Sequence, residues 1–533
     1  MGDGPVGHDG LPHDDPKDLS PSSFEPEVLS TSPPSFYPPS NPIGWISMLS
    51  SPCSFAPQHF LAVMDNLIHN PNLTSSHLFR AEILYDSTVN DVSASDAVNP
   101  EMRPRCCDVP PRYVLQRTVV RRLVPRNPTL DKALVQTCHM FQRRSSVDAN
   151  AKAKDNNEET ETNLVIYVPH VEAPDDVPFY HPTVRVVAFL HSWKPMSEHG
   201  IISVHYRLFP NSELTPRLER TALALLRLIH KHGRGRAAGY RKRVHHDVVV
   251  PQAPFQDTYT ALKLKYAKRL IKDWVEQTDP AKHVFEDLGI AAFLIELWKE
   301  MYEIGPQSVE SSKPRFPGFV DIGCGNGVLV YVLNEEGFRG WGFDARQRKT
   351  WDVLFPEDRG SSLREMLLVP DIMCPTQHVP KRAYHPGVFP DGTFVISNHA
   401  DELTPWTPLL AFLSKSPFFA IPCCSHNFVG ARFRVSPSIK GPSAYATLCQ
   451  WVTNLAEEVG FVPEHEKLRI PSTRNAAILG RQVRDSSHEL SDEDRRQLVR
   501  DILAREQGTS VREMGQRWLD NAEKLLKGKA SGH

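Results

Sequence analysis

Apolar and polar positions change period several times between residues 45 and 250. Residues 60–68 space their apolar side chains along one helical face, whereas residues 112–124 alternate like a half-buried strand. Residues 164–168, 184–190 and 200–208 are further short β-type runs. Helical spacing returns over 214–230, where Thr215 can cap the helix and Pro216 fits the first turn, whose N–H groups lack partners anyway. Residues 42–250 are therefore expected to form an α+β accessory domain. Beyond 251 strands and helices alternate. Helical stretches cover 257–274 and 278–298, and a strand at 319–322 is followed by a helix from Val328. Residues 340–343 form a second strand, 363–373 carry the third or its approach, and 393–398 and 418–421 are the fourth and fifth. This succession predicts an α/β domain over 251–482. Ser491 and Ser510, each with an acid three residues on, resemble capping boxes and set 483–533 apart as C-terminal helices.

The turn between the first strand of that domain and its helix carries Gly323, Gly325 and Gly327. Glycines there let a ligand approach the backbone, and a turn feeding a helix N-terminus suits a small polar or anionic group. A dinucleotide fingerprint would place its last glycine where Val328 stands, and a phosphate loop needs a Gly-Lys-Ser/Thr ending that is missing. Asp321 precedes the turn, and the second strand ends on Asp344, where a carboxylate can accept both hydroxyls of a ribose. The pattern D-x-G-x-G-x-G followed by that acid resembles the S-adenosylmethionine (SAM) site of Rossmann-like class I methyltransferases. The competing reading is a glycine turn of some other α/β protein. The resemblance implies that Asp321, Gly323, Cys324, Gly325, Asn326, Gly327 and Asp344 hold SAM. Asp371 is then a candidate for the adenine end, and Ser397 and Asn398 for the exit of strand four.

In an open α/β sheet the loops after the strands' carboxyl ends carry ligands, so 397–402 and 422–427 should border the transferred group. Glu286 and Asp287 suit either the cofactor's surroundings or an acidic bias at a helix start; taken alone, the helix-dipole reading is favoured. Cys423, Cys424 and His426 match no zinc spacing, so packed cysteines and no metal are expected. The most basic segment is 231–245. Its glycines should keep it mobile, with Arg234, Arg236, Arg241, Lys242 and Arg243 placed for phosphates and Tyr240 for stacking on a base, which favours RNA contact. Arg117, Arg121 and Arg122 form either a basic face or a solvated strand face.

Composition narrows the setting. With 61 Lys+Arg against 63 Asp+Glu, the net charge of -2 excludes a global basic excess, so any nucleic-acid site must be a local patch. No apolar run approaches a membrane span, and the acidic, Pro-rich start lacks a secretory h-region. Nine cysteines, an odd number in 533 residues, suggest no disulfide framework and a reducing, cytoplasmic setting. Residues 1–41 and 142–162 are too polar to offset ordering entropy and are expected to be a disordered tail and a disordered insertion.

Five blocks, 278–287, 319–331, 341–351, 397–406 and 421–426, together resemble the eukaryotic tRNA uridine 2′-O-methyltransferases that modify uridine 44 of serine tRNA. The likeness is dense over 255–480 and thinner over 42–250. Its most distinctive piece runs from Gly342 through Asp344 to Trp351. It implies a cytoplasmic, SAM-dependent enzyme whose accessory domain meets tRNA. A ribose 2′-hydroxyl is a weak acid that needs a base, or a cation for its developing charge, and close alignment. On that substrate Asp401 and Glu402 are candidates for proton acceptance, and Arg432 and Lys440 for the phosphates or the alkoxide. Two other readings stand beside it. One is SAM-dependent methylation of another RNA position, a base or a protein. The other is a non-catalytic RNA-binding scaffold, against which the intact Asp321, glycines and Asp344 argue.

Overall fold

The computed structural model describes residues 24–29, 34, 36, 45–89, 100–108, 110, 112–128, 130–144, 160–241, 246–302, 314–356, 362–373, 383–432 and 443–526. The chain divides into two units, 1–242 and 243–533. Among the described residues no helix is long and apolar enough to cross a membrane.

Strand alternation builds the first unit. β1 (Glu27–Val28), β2 (Trp45–Cys53), β3 (Leu78–Asp86), β4 (Val114–Pro125), β5 (Leu134–Arg144), β6 (Glu161–Pro169), β7 (Val186–Lys194) and β8 (His199–Arg207) form one antiparallel sheet in the order β1-β2-β8-β7-β6-β5-β4-β3. Helices α1 (Pro57–His69) and α2 (Pro216–Ala237) turn apolar stripes, Phe60, Val63 and Met64 on one and Leu218, Ala222 and Leu226 on the other, into a core shared with Val119, Val165, Phe189 and Val204. Thr215 caps α2 as expected, accepting the Leu218 N–H.

Four expectations change in this unit. Glu27 and Val28 pair with Ser50 and Leu49, and Phe36 is buried against Trp45 and His205, so disorder does not run through all of 1–41; residues 1–23 lie outside the described residues. Disorder does not hold over all of 142–162 either, because Arg144 pairs with Glu161 across β5 and β6; residues 145–159 lie outside the described residues. The basic segment does not start as a mobile glycine loop. Helix α2 continues through Gly233 and Gly235, because a Cβ on Gly233 would stand 2.5 Å from the ring of the buried Phe55, so glycine is what lets helix and ring pack. Nor is the strand face a free cationic one. Arg117 pairs with Asp65 and Asp86, Arg122 with Glu82 and Glu101, and Arg121 is buried, donating to the Leu67 and Ile68 carbonyls.

The second unit begins with α3 (Gln252–Leu262), a π turn (Lys263–Ala267), α4 (Lys268–Lys272) and α5 (Pro280–Met301). The chain then alternates β9 (Phe319–Ile322), α6 (Val328–Glu335), β10 (Gly340–Asp344), α7 (Lys349–Leu354) and β11 (Leu363–Glu365). A small ladder, β12 (Leu367–Leu368) with β13 (Tyr384–His385), intervenes before β14 (Phe394–Asn398), α8 (Trp406–Leu413), β15 (Phe418–Ile421) and α9 (Ala444–Glu458). β16 (Phe461–Lys467), β17 (Ala476–Val483), α10 (Asp485–His488), α11 (Asp492–Gln507) and α12 (Val511–Leu526) complete it. The main sheet has the order β11-β10-β9-β14-β15-β17-β16, parallel except for β17, which runs antiparallel to β15 and β16.

Strand order reverses at β9, so the loops leaving β9 and β14 diverge at one carboxyl edge and open a crevice between them. One core layer joins α5 and α6 to the sheet, and the other joins α8, α9, α11 and α12. The C-terminal helices are packing helices: Val499, Ile502, Leu503, Met514 and Trp518 all sit in that second layer. Residues 247–249 also belong here. The buried Glu466 accepts their three backbone N–H groups, which puts the division between the units ahead of 250.

Candidate cofactor and acceptor site

β9 delivers Asp321 to the reversal point, and Gly323, Gly325 and Gly327 turn the chain with φ of 75°, 51° and 79°. Space decides two of them. A Cβ on Gly323 would lie 3.0 Å from that of Ala400, and one on Gly327 would lie 2.5 Å from Leu363, whereas at Gly325 it would meet nothing. The loop thus leans on the β14 exit at Gly323 and is open at Gly325. The segment after β10 clamps it from the other side: Trp351 Nε1 donates to the Gly325 carbonyl (2.9 Å) and Thr350 Oγ1 to that of Asn326 (2.7 Å). Asp344, at the tip of β10, accepts the Gly325 N–H on Oδ2 (3.1 Å) and the Arg346 N–H on Oδ1 (3.2 Å). Each oxygen keeps a lone pair for a further donor. Cys324 is buried against Gly342 of β10, which makes it a packing residue of the turn.

Asp321 is 1% exposed, and its Oδ1 has no protein partner. Burial, reinforced by the charges of Asp287 and Asp344, holds its carboxyl well above the ordinary range. An open backbone cradle, a ribose-type acceptor in Asp344 and a buried acid short of a cation fit a ligand that carries both a nucleoside and positive charge.

Helix α5 supplies a part of the site for which the sequence left two readings and favoured the other one. Asp287 Oδ2 accepts from Asn326 Nδ2 (3.1 Å) and Oδ1 from Asn398 Nδ2 (3.2 Å), while Glu286 Oε1 meets His399 Nε2 at 3.0 Å. Both acids are buried, and burial with the neighbouring Glu286 charge pushes Asp287 up to about 7. Neither lies in the first turn of α5, so the helix-dipole reading fails. The available signal was the run after them. Residues 288–295 are apolar without a break, and a helix that is apolar all round there buries its neighbouring polar residues too.

On the acceptor side, Ser397 Oγ and Asn398 Oδ1 are buried without protein partners. His399 and Asp401 hold left-handed φ of 53° and 43°. Cys423 Sγ donates to Asp401 Oδ1 (3.1 Å), and burial raises both the Cys423 and Cys424 thiols, with Asp401 adding to each. Asp401, Cys423 and Cys424 offer one oxygen and two sulfurs within 4.8 Å of one another, the only such grouping among the described residues. His426 stands outside it, accepting from Arg432 Nε (3.3 Å). Burial pushes the Glu402 carboxyl up to about 7; the Asp401 and Asp344 charges add to this and Arg432 opposes it. The structure therefore brings Asp401, Glu402 and Arg432 together. Lys440 lies outside the described residues.

Asp371 is not part of this constellation. Its carboxylate is bound to Arg496 of α11 (2.8 Å) at the edge of a separate cavity of about 160 Å³. β11 is only three residues long, and across the ladder Asp344 faces Glu365, with the Met366 N–H on the Asp344 carbonyl. Strand three thus ends several residues before Asp371. In the first unit Arg234 and Arg236 lie on the exposed last turn of α2, with Arg241 and Tyr240, the latter 70% exposed, just beyond. Lys242 and Arg243 lie outside the described residues.

Comparison with known proteins adds two domain matches and several full-length relatives. Residues 22–243 match a family model described as a TRM44-like, N-terminal bet v1-like domain, and residues 249–370 match one described as a predicted AdoMet-dependent methyltransferase. The chain is 48% identical over 454 residues to a Neurospora crassa protein named tRNA (uracil-O(2)-)-methyltransferase, covering 82% of this chain and 86% of the relative. Proteins of the same name from Schizosaccharomyces pombe (38% identical, 86% and 89% covered) and Aspergillus oryzae (38%, 82% of each) are similar along their length.

Proposed function

The chain belongs to the TRM44-like family of tRNA (uracil-O(2)-)-methyltransferases, and from that premise we propose that it methylates the ribose 2′-hydroxyl of uridine 44 in serine tRNA. It is a SAM-dependent enzyme. The second unit is read as a Rossmann-like class I methyltransferase domain, which its strand order supports. The first unit is read as the tRNA-holding accessory domain, and the cytoplasm as its setting.

The observation that carries the site assignment is the convergence, at one sheet edge, of the 321–327 loop and Asp344 with the 397–402 loop. SAM supplies a methyl group made electrophilic by its sulfonium. Asp344 is assigned to the ribose of that cofactor and Asp321 to its positive charge. Glu402 takes the proton of the attacking 2′-hydroxyl; a carboxylate near neutral pKa suits that task. Asp401, held by the Cys423 thiol, lines the same approach. Arg432, with Lys440, is assigned to the substrate phosphates. A new O–CH₃ bond forms as the S–CH₃ bond breaks, and the hydroxyl proton passes to Glu402.

The test is incubation with SAM and total tRNA, then digestion to nucleosides and mapping of the modified position. A 2′-O-methyluridine at position 44 of serine tRNA is expected. A methyl group elsewhere would overturn the positional assignment.

A further inference from the structure

Asp287 links the two loops that make the site. An ionised carboxylate only accepts hydrogen bonds, whereas an asparagine amide can turn either its oxygen or its NH₂ toward a neighbour. By taking Nδ2 of both Asn326 and Asn398, Asp287 fixes the orientation of each. Asn326 is left with Oδ1 on the Val328 N–H (2.7 Å), an Asx turn that shapes the glycine turn at the start of α6. Asn398 is left with a buried Oδ1 that no protein group meets. Ser397 Oγ and Asp321 Oδ1 are in the same condition. β9 and β14 are neighbours with Ile396 opposite Asp321, so Asp321 and Asn398 bring their unmet atoms to one face at the carboxyl edge, while Ser397 alternates to the other face. Native proteins seldom leave such atoms unpaired, so a ligand donor is expected there. SAM offers three kinds of donor: ribose hydroxyls, the adenine amine and an α-ammonium. Asp344, on the far side of β9, takes the ribose, and the adenine lies beyond the ribose. The ammonium is the donor left for the edge of β9 and β14.

We propose that Asp287 is a positioning residue for methyl transfer, orienting Asn326 and Asn398 so that the Asn398 carbonyl oxygen accepts a hydrogen bond from the α-ammonium of SAM. The proposal rests on the SAM assignment above. Glu286 supports the same loop through His399, next in sequence to Asn398 and held at a left-handed φ.

The test is calorimetry on the full chain with SAM, S-adenosylhomocysteine and the S-adenosylhomocysteine analogue lacking its α-amino group. Asp287→Asn keeps the shape but replaces one acceptor oxygen with a donor NH₂, so it cannot hold both amides as they are. It should weaken SAM binding about tenfold, the size of one charge-assisted hydrogen bond, and shrink the preference for the amino-bearing ligand over the analogue. Turnover should fall with KM for tRNA unchanged, and the melting temperature at pH 8 should not drop. Asn398→Leu removes the amide and leaves Asp287 bonded to Asn326, and it should lose the same preference, which keeps the test available if Asp287→Asn does not fold. Undiminished preference for the amino group in either variant would overturn the proposal. Failure of the unaltered chain to bind SAM would instead overturn the cofactor assignment.

Discussion

Glu402 sets a pH dependence through its surroundings. Its carboxyl is raised to about 7 by burial, and a general base works only when ionised. Activity should climb with pH through about 7 and level off above it. Stability should respond in the opposite sense. The unfolded chain loses this proton near pH 4.3, about the ordinary glutamate value, whereas the folded one holds it to about 7, so the proton-linked stability is complete at low pH and lost as pH rises through that window. Glu402→Gln should lower turnover by about 10²–10⁴-fold and abolish the rising limb, read from pH–rate profiles. A variant that keeps the limb would remove Glu402 as the base. Asp344→Ala should weaken SAM binding and leave tRNA binding intact; equal loss of both, in parallel titrations, would contradict its assignment. These residues differ in how far the sequence disclosed them. Gly323, Gly325, Gly327 and Asp344 were legible because a turn with left-handed φ and an acid at a strand tip leave a local signature. Asp287 was not, because an acid near a helix start looks the same whether it faces solvent or two asparagines from other elements. Asp371 was misplaced because the sequence does not show that β11 stops after three residues.

At the scale of elements, α2 shows the same division. Thr215 and Pro216 announced its start, but Gly233 and Gly235 argued for an early end that packing overrides. The two glycines should respond oppositely to the same substitution. At Gly235 a Cβ meets only the Cβ of Tyr240, at 3.9 Å, so Gly235→Ala should stabilise by about 1 kcal/mol through helix propensity alone. At Gly233 the same propensity gain competes with a Cβ 2.5 Å from a fully buried ring. Overpacking costs about 1–3 kcal/mol and should win, so Gly233→Ala should lower the urea midpoint of unfolding. A rise there would mean that Phe55 moves aside at little cost. Strands β3 and β5 are hard to read from sequence for a related reason. Polar residues such as Arg80, Gln136 and His139 interrupt their alternation. All three are buried, Arg80 paired with Glu82 of its own strand, and Gln136 and His139 with Arg121 of β4 and the Arg105 carbonyl of a loop.

At the scale of the whole molecule, near-neutral net charge must be reconciled with a polyanionic substrate. A chain at -2 gains no long-range attraction to tRNA, so binding must rest on local cations that are not already paired within the protein. Arg117, Arg121 and Arg122 fail that requirement, since each is committed to internal acceptors. Arg234, Arg236 and Arg241, exposed at and beyond the end of α2, are the better candidates. Replacing all three with Gln should weaken tRNA binding and flatten the plot of log affinity against log salt by about 0.7–0.9 for each phosphate that is no longer neutralised. SAM affinity should not change, because these arginines belong to unit 1–242 and the cofactor loop to unit 243–533. Turnover at saturating tRNA should also hold, since only the pairing with phosphates is removed. An unchanged salt slope would move the tRNA site away from the end of α2. A flattened slope with weakened SAM binding would show that the two units are coupled through this segment.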